Sequence, residues 1–205
     1  MSSAPIVLIL GAGSNIGQSV AQAFAAKGYK TALLNIAGDL SDLETVVGAF
    51  SKVKAVLGNH PSVVVHNVAA VTPNPPNDPL ALSLADFTKS LAINTTSAFV
   101  AALPSSASRT FIYTGNILNT TVMTPLLDLG VGKAATSHII QSAATAYADR
   151  GFKFYYADER KADGSSAGQA VDGDAHAKLY VGLAEGEAQG PWQQTFVKGA
   201  GYTKF

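Results

Sequence analysis

A glycine-rich segment that follows a short apolar run is the first place where this chain could bind a ligand. Ile6–Leu10 is continuously apolar, and residues 11–17 follow it directly, before a helical pattern of apolar residues that continues to Gly28. A strand, a tight turn and a helix in this order direct the free amides of a helix N-terminus to one spot, where they can bind a pyrophosphate. The segment therefore predicts a dinucleotide-binding turn. The alternative is an ordinary βα turn that binds nothing.

The spacing within this segment distinguishes between glycine patterns. The common Gly-x-Gly-x-x-Gly pattern fails, because its third glycine would fall at Ile16. Gly11, Asn15 and Gly17 instead fit a Gly-x-x-x-Gly-x-Gly turn with Asn15 in the middle position. Asn is the non-glycine residue that best tolerates a positive φ, so we expect that conformation at Asn15.

These residues and several later segments, in this order, resemble the short-chain dehydrogenase/reductase family over nearly the whole chain. Residues 11–17 resemble its glycine turn, and Lys133 followed by two alanines resembles the lysine of its Tyr-x-x-x-Lys motif. Residues 38–41, 64–69 and 93–95 resemble its Asp-Val-Ser/Thr element, its Val-Asn-Asn-Ala-Gly strand end and the segment with its tetrad asparagine. For Lys133 the alternative is a solvated helix lysine.

The resemblance implies which residues bind a nicotinamide dinucleotide. In the family, the aspartate of the Asp-Val-Ser/Thr element contacts the adenine ring, and the lysine of the Tyr-x-x-x-Lys motif holds the hydroxyls of the nicotinamide ribose. Carried over by position, the cofactor-binding residues are Gly11, Gly13, Ser14, Asn15, Ile16, Gly17, Asn35, Asp39, Leu40, Asn67, Val68, Ala69 and Lys133. Asn35 is neutral where an acidic residue is expected for NAD, which slightly favours NADP(H) over NAD(H). No metal ligand is assigned.

The chain departs from the family where the chemistry takes place, so the catalytic tetrad is degenerate. Leu129 occupies the position of the tyrosine that donates the proton. Asn116 occupies the position of the hydroxyl-bearing serine, and an amide can bind a carbonyl but cannot relay a proton as a hydroxyl does. The catalytic candidates that remain are Asn94, Asn116 and Lys133.

Three tyrosines at predicted strand ends could supply a replacement phenol. They are Tyr113, Tyr155 and Tyr156, and packing is the simpler role for each of them. After this last strand the family has Pro-Gly near the nicotinamide, whereas this chain continues with residues 157–160, Ala-Asp-Glu-Arg.

The elements that position these residues alternate between strands and helices. Strands are predicted at 6–10, 31–34, 62–66, 109–113, 152–156 and 194–197, and helices after the glycine turn and at 42–57, 83–102, 126–150 and 175–188. Such alternation forces right-handed crossovers onto both faces of a mainly parallel sheet. We therefore predict one Rossmann-like, doubly wound α/β domain over residues 1–205.

Polar residues predict where helices begin and where a flap lies. Ser41 with Glu44, and Ser83 with Asp86, predict helix caps, and Asp174 predicts another. The polar stretch 158–173 predicts a surface flap. The connections after Asn35 and before residue 109 are short for a strand-to-strand crossover.

Composition limits the class of protein. The 14 Lys+Arg balance the 14 Asp+Glu, so no net field attracts nucleic acid or an anionic membrane. The chain has no cysteine, which excludes disulfide scaffolds and zinc–thiolate sites. The apolar run near the N-terminus is too short for a signal peptide or a membrane span, so we expect a cytoplasmic protein.

Only 14% of residues are charged, which favours a homodimer or homotetramer through helices 83–102 and 126–150, as is common in the family.

The leading functional hypothesis is an NAD(P)(H)-dependent oxidoreductase that acts on a small carbonyl or alcohol substrate. One alternative is a dinucleotide-binding sensor or scaffold in which Leu129 marks lost catalysis. The other is a non-redox enzyme on the same fold, since a fold alone does not establish chemistry.

Overall fold

Seven strands form a single sheet. The computed structural model describes residues 4–34, 40–103 and 109–205, so Asn35 and Asp39, which were predicted to bind the cofactor, lie outside the described residues. The strands are β1 (Ile6–Leu10), β2 (Lys30–Leu34), β3 (Val63–His66), β4 (Thr110–Thr114), β5 (Lys153–Arg160), β6 (Gln193–Val197) and β7 (Gly201–Tyr202). Their spatial order is β2-β1-β3-β4-β5-β6-β7, and all neighbours are parallel except β6 and β7.

Helices cover both faces of this sheet. They are α1 (Ile16–Ala26), α2 (Leu43–Leu57), α3 (Leu84–Leu91), α4 (Ser97–Ala102), α5 (Leu127–Tyr147) and α6 (Gly173–Glu185), and a π-helical turn, Ala92–Thr96, joins α3 to α4. One core contains side chains of α1 and α6, and the other contains side chains of α2, α4 and α5. Both faces are buried, which explains the uninterrupted apolar run of β1. The predicted Rossmann-like, doubly wound single domain is confirmed. In the described ranges, no helix has the length and apolar character needed to cross a bilayer.

The order of the strands reverses at β1. Helix α1 leads from β1 to β2 on one side, and α2 crosses back to β3 on the other side. In such sheets the crevice for a ligand opens at the carboxyl ends of the strands around this reversal. Helix α2 therefore makes the crossover from β2 to β3.

Strand β5 is longer than predicted and shortens the predicted flap. Residues Asp158, Glu159 and Arg160 pair with β6 and are buried, so the flap begins only at Lys161. Charged residues are tolerated here because they are paired. The Arg160 guanidinium donates to Asp158 at 2.6 Å, and Glu159 accepts from the Asp172 amide at 2.7 Å.

One of the three predicted helix caps is confirmed. Ser83 accepts a hydrogen bond from the Asp86 amide, as predicted. Helix α2 is capped by Asp42 instead of Ser41, and α6 by Asp172 instead of Asp174. In both cases the cap is the residue directly before the first helical residue, and its carboxylate accepts a hydrogen bond from an amide of the first turn.

The N-termini of α1 and α6 are in close contact. A Cβ atom on Gly173 would lie 2.7 Å from Asn15 Oδ1 and from Ser19 Oγ, and 2.9 Å from the Asn15 carbonyl oxygen. Beside this contact, the Ser19 hydroxyl donates to Asp174 at 2.9 Å and the Asn15 side-chain Nδ2 donates to the Val171 carbonyl at 3.0 Å. Gly173 therefore permits the approach of two helix ends that both border the carboxyl edge of the sheet.

We predict that Gly173→Ala lowers the free energy of unfolding by about 1–3 kcal/mol, because the new methyl group would separate the two helices. Gly182 lies in the same helix, and a Cβ there would meet nothing within 4 Å. Gly182→Ala should therefore raise stability by roughly 0.5–1 kcal/mol, since alanine favours a helix. Urea unfolding of the two variants measures both effects. Equal changes of the same sign would contradict this account of the contact.

Candidate active site

A cleft of about 590 Å³ opens at the carboxyl edge of the sheet, around the reversal of the strand order. Its walls come from Ile16 of α1, the residues after β3 and β4, and helix α5. Residues of the segment between β5 and α6 close it from the far side. Of the predicted site residues, the cleft brings together Ile16, Asn67, Val68, Ala69, Asn116 and Lys133.

Two glycines hold the turn after β1 against its neighbours. Gly11 has φ +88°, and a Cβ there would lie 2.7 Å from the Asn67 carbonyl oxygen. A Cβ on Gly17 would lie 2.6 Å from Cα of Ala12. Asn67 donates from its side chain to the Gly11 carbonyl at 2.9 Å and so joins this turn to the end of β3. Helix α1 begins directly after the turn, and its first amides lack intrahelical partners.

Asn15 does not adopt the conformation predicted for it. Its φ is −97°, and every non-glycine residue that the structure describes has a negative φ. The positive φ falls at Gly11 instead, where the backbone passes too close to Asn67 for any side chain. The Asn15 side chain binds the carbonyl of Val171.

The remaining residues that were predicted to bind the cofactor differ in exposure. Gly13 faces open space, since a Cβ there would meet nothing within 4 Å, and Ser14 is exposed. Leu40 is instead buried in the core beside α2, so its side chain packs there.

Asn94 supports the cleft from outside its walls. Its side chain is fully buried in the π-helical turn, donates to the Ala70 carbonyl at 2.7 Å and accepts from the Ala70 amide at 3.1 Å. Its own carbonyl accepts hydrogen bonds from Tyr113 at 3.0 Å and from Thr136 at 2.8 Å. These bonds fix the chain after β3.

Lys133 reaches the cleft from α5 with a buried ammonium group. Its Nζ donates to the Tyr113 hydroxyl at 3.1 Å and to the Thr114 carbonyl at 2.9 Å, and lies 4.4 Å from the centre of the Tyr113 ring. Burial lowers the pKa of Lys133 to about 7, and the charge of Asp158 partly opposes this shift. Burial and the nearby Lys133 lower the pKa of His66 to about 3, so that ring is neutral beside the ammonium group.

Asn116 and Leu129 form the part of the wall where the family has its serine and tyrosine. Both line the cleft. The Asn116 backbone binds the Tyr156 hydroxyl through its amide at 3.1 Å and its carbonyl at 2.7 Å, and its side-chain oxygen accepts from the Leu118 amide at 3.0 Å. These bonds leave the Asn116 side-chain NH₂ group as the available donor, while Leu129 contributes only apolar surface.

The three tyrosines considered as replacement phenols are committed elsewhere. Tyr113 donates to the Asn94 carbonyl, and Tyr156 donates to the Asn116 carbonyl. Tyr155 lies on the opposite face of the sheet and donates to the Ala188 carbonyl at 3.3 Å. Burial raises the pKa of all three hydroxyls, which also opposes proton release.

Sequence reasoning missed two titratable residues of the cleft, Glu159 and His176. His176 Nδ1 lies 3.4 Å from Glu159 Oε2, and both side chains are almost completely buried. The charged run at the end of β5 was the available signal, but it was interpreted as the start of a flap. Asp172 and Asp174 nearby bind Lys198 and Ser19. In the part of the chain that the structure describes, no group of three candidate metal ligands occurs.

Comparisons with known proteins agree with this geometry. No family model matches the sequence. The short chain dehydrogenase/reductase dmxR12 of Cryptosporiopsis sp. (strain 8999) is 47% identical over 99% of this chain and 96% of its own length. That alignment spans 236 residues and is longer than this chain, so the relative has additional residues within it.

Solved structures share the fold at low identity. A metagenomic short-chain oxidoreductase in complex with NADP matches with a TM-score of 0.78 and 14% identity, covering 95% of this chain and 97% of its own. A 3-oxoacyl-[acyl-carrier protein] reductase from Brucella melitensis matches with a TM-score of 0.75 and 18% identity, covering 91% and 92%. BdcA in complex with NADPH matches with a TM-score of 0.72 and 14% identity, covering 99% and 97%.

The sequence relative carries the family assignment, because it is similar along nearly the full length of both chains, and the solved structures carry the fold. The alternation of strands and helices in a mainly parallel sheet also occurs as the sequence predicted. This chain therefore belongs to the short-chain dehydrogenase/reductase family.

Proposed function

We propose that this protein is an oxidoreductase that transfers hydride between a nicotinamide dinucleotide and a small carbonyl or alcohol substrate. The observation that carries the proposal is the cleft itself, which Ile16 of the glycine-rich segment, Asn116 and Lys133 all line. Bound there, the reduced dinucleotide would supply the hydride.

The residues present fit a dinucleotide. The first amides of α1 provide a site for the pyrophosphate, and the open space at Gly13 leaves room for it. Lys133 holds a buried ammonium group within the cleft, where it can donate to ribose hydroxyls. Asn35 and Asp39 are proposed to contact the adenosine half. The neutral Asn35 and the NADP and NADPH complexes of the structural neighbours support NADP(H) slightly over NAD(H).

The chain's own residues suit a carbonyl substrate. The Asn116 side-chain NH₂ group can donate to the carbonyl oxygen, and Asn94 keeps the chain after β3 in place beside it. Leu118, Leu126 and Leu129 give the same cleft an apolar wall, which favours a substrate with apolar surface next to its carbonyl.

We predict that Gly13→Val weakens NADPH binding at least about tenfold, a loss of roughly 1.4 kcal/mol. The side chain would extend into open space, so the fold tolerates it, but it would occupy the place proposed for the pyrophosphate. Isothermal titration calorimetry measures the affinity. Gly48→Val is the matched control, because a Cβ there also meets nothing within 4 Å and Gly48 lies in α2, away from the cleft. Wild-type protein that binds neither NADPH nor NADH at millimolar concentration would overturn the proposed function.

The buried ammonium of Lys133 predicts a pH-dependent cost in stability. Its pKa is about 7 in the folded protein and near 10.4 in the unfolded chain, so between these values the unfolded state binds more protons. The cost of burying the charge is complete below pH 7 and disappears as the pH rises towards 10. Relative to Lys133→Met, the wild-type protein should therefore gain stability by up to about 1.4 kcal/mol per pH unit over this range.

Chemical unfolding of both proteins without cofactor, at several pH values from 6 to 10, measures this difference. Lys178→Met serves as the control, since Lys178 is exposed on α6. A constant difference between wild type and Lys133→Met would show that Lys133 keeps its proton over this range and that its pKa is not lowered. The same Lys133→Met substitution should weaken NADPH binding.

We also propose that the protein forms a homodimer or homotetramer through α3–α4 and α5. Exposed apolar side chains on these helices include Leu84, Phe99 and Val131. Phe99→Asp should lower the mass measured by light scattering, whereas Val56→Asp, which changes an exposed residue of α2, should not. A monomer mass for the wild type at all concentrations would contradict this. The cytoplasmic location stays a prediction.

A further inference from the structure

The proposed reaction needs a group that gives or takes a proton, and the cleft offers few. Among its described lining residues, those that titrate are Lys133, Glu159 and His176. Lys133 is assigned to the ribose, and the nearby tyrosine hydroxyls are committed to backbone carbonyls. Glu159 and His176 remain.

The hydrogen bonds of His176 leave one of its ring nitrogens for the cleft. Nδ1 lies 2.8 Å from the Asp172 carbonyl oxygen, and a carbonyl can only accept, so Nδ1 carries the proton. The lone pair is then on Nε2, for which the described chain provides no hydrogen-bond partner, and His176 lines the cleft. Edge-to-face contacts with Tyr180 and Phe196 hold the ring, at centroid distances of 5.6 and 4.9 Å.

The charged groups around this ring come from three elements. Glu159 at the end of β5 is 3.4 Å from Nδ1, and Asp172 caps α6, the helix that carries His176. Lys198, after β6, forms an ion pair with Asp172 at 2.6 Å, and Tyr180 of α6 lies against the ring. Burial lowers the pKa of His176 and raises that of Glu159, so the neutral imidazole is favoured until a proton arrives in the cleft.

We propose that His176, oriented by Glu159, transfers the proton of the reaction in place of the tyrosine that Leu129 replaces. When an alcohol is oxidised, Nε2 takes its O–H proton, and a bound oxidised nicotinamide would accept the hydride from its carbon, which gives a carbonyl product. The resulting imidazolium lies beside the Glu159 carboxylate and returns its proton to solvent. Reduction of a carbonyl reverses each transfer. Glu159 is a positioning residue, because it acts through the ring.

This proposal rests on the proposed function, and its rival is a purely structural pair that ties α6 to β5. His176→Asn separates the two, because the Asn side-chain N–H can still donate to the Asp172 carbonyl while the acceptor at Nε2 is lost. His138→Asn is the matched control, since His138 is exposed on α5. Calorimetry with NADPH comes first. If the wild-type protein does not bind NADPH, the proposed function is wrong, whereas a protein that binds NADPH allows the role of His176 to be tested separately.

The first experiment is nuclear magnetic resonance of protein labelled with ¹⁵N in its histidine rings. His176 should show the tautomer protonated at Nδ1, and saturating NADP⁺ should shift its Nε2 resonance while His138 does not move. An unshifted Nε2 resonance in protein that binds NADP⁺ would show that this nitrogen does not face the cofactor, and would overturn the proposal. A pH titration followed through the same ring resonances measures the pKa of His176. Glu159→Gln should lower this pKa, since the imidazolium loses its carboxylate partner. An unchanged pKa would remove Glu159 from the step.

The second experiment follows NADPH oxidation with an activated α-diketone as the probe. His176→Asn should slow the reaction at least about 100-fold at unchanged NADPH affinity, the lower end of what a positioned acid contributes. Adding Leu129→Tyr to His176→Asn should restore part of the rate, because a phenol is then present in the cleft. An unchanged rate in His176→Asn would overturn the proposal, as would a loss that Leu129→Tyr does not restore. If the wild-type protein binds NADPH but does not reduce the diketone, the resonance experiment decides.

Discussion

The burial of one ammonium group organises the carboxyl edge of this sheet. The Nζ atom of Lys133 has given up water and depends on the Tyr113 hydroxyl and the Thr114 carbonyl for hydrogen bonds. Tyr113 can face Lys133 only because its own proton goes to the Asn94 carbonyl. Asn94 in turn holds Ala70, so one connected set of bonds joins α5, β4, the π-helical turn and the chain after β3. A buried polar network of this kind is stable only when every member is satisfied.

This network explains why the cleft keeps its shape although the family's tyrosine is missing. A chain that had lost any use for Lys133 would gain stability from an apolar residue there, because burying a charge is costly. The lysine remains, with its pKa lowered to about 7 by burial. The cost fits a group whose full set of partners includes a bound molecule, and it agrees with the proposed role of Lys133 at the ribose.

The extended strand β5 supplies the second organising feature. Successive residues of a strand point to opposite faces, so Asp158 and Arg160 pair on one face while Glu159 points to the other. On that face, Glu159 accepts a hydrogen bond from the backbone amide of Asp172, the cap of α6, and its carboxylate lies near the ring of His176. The replacement of Pro-Gly by a charged run thus changes the end of the strand and adds titratable groups to the same cleft.

Local patterns determined much of the fold. The apolar run of β1, the glycine turn and the alternation of strands and helices predicted the doubly wound sheet, because both faces of a parallel sheet must be buried and each crossover needs a helix. The positions of Asn67 and Asn116 at one edge followed from the same alternation, since the carboxyl ends of parallel strands meet there. Lys133, inside α5, came only from the family resemblance.

Contacts between distant segments decided the rest. Arg160 neutralises Asp158, and β6 pairs with both, so a polar stretch that is typical of a loop became the end of a buried strand. Gly11 instead of Asn15 carries the positive φ, and Asn67, directly after β3, approaches that turn too closely for a side chain. Helix α6 begins at Gly173, which contacts Asn15 and Ser19, so Asp172 instead of Asp174 is its cap. The pairing of Glu159 with His176 likewise joins a strand end to a helix across an intervening segment. Sequence determined which residues follow each strand, whereas only the tertiary structure decided which of them lie close enough to interact, because that depends on distances between segments that no local pattern encodes.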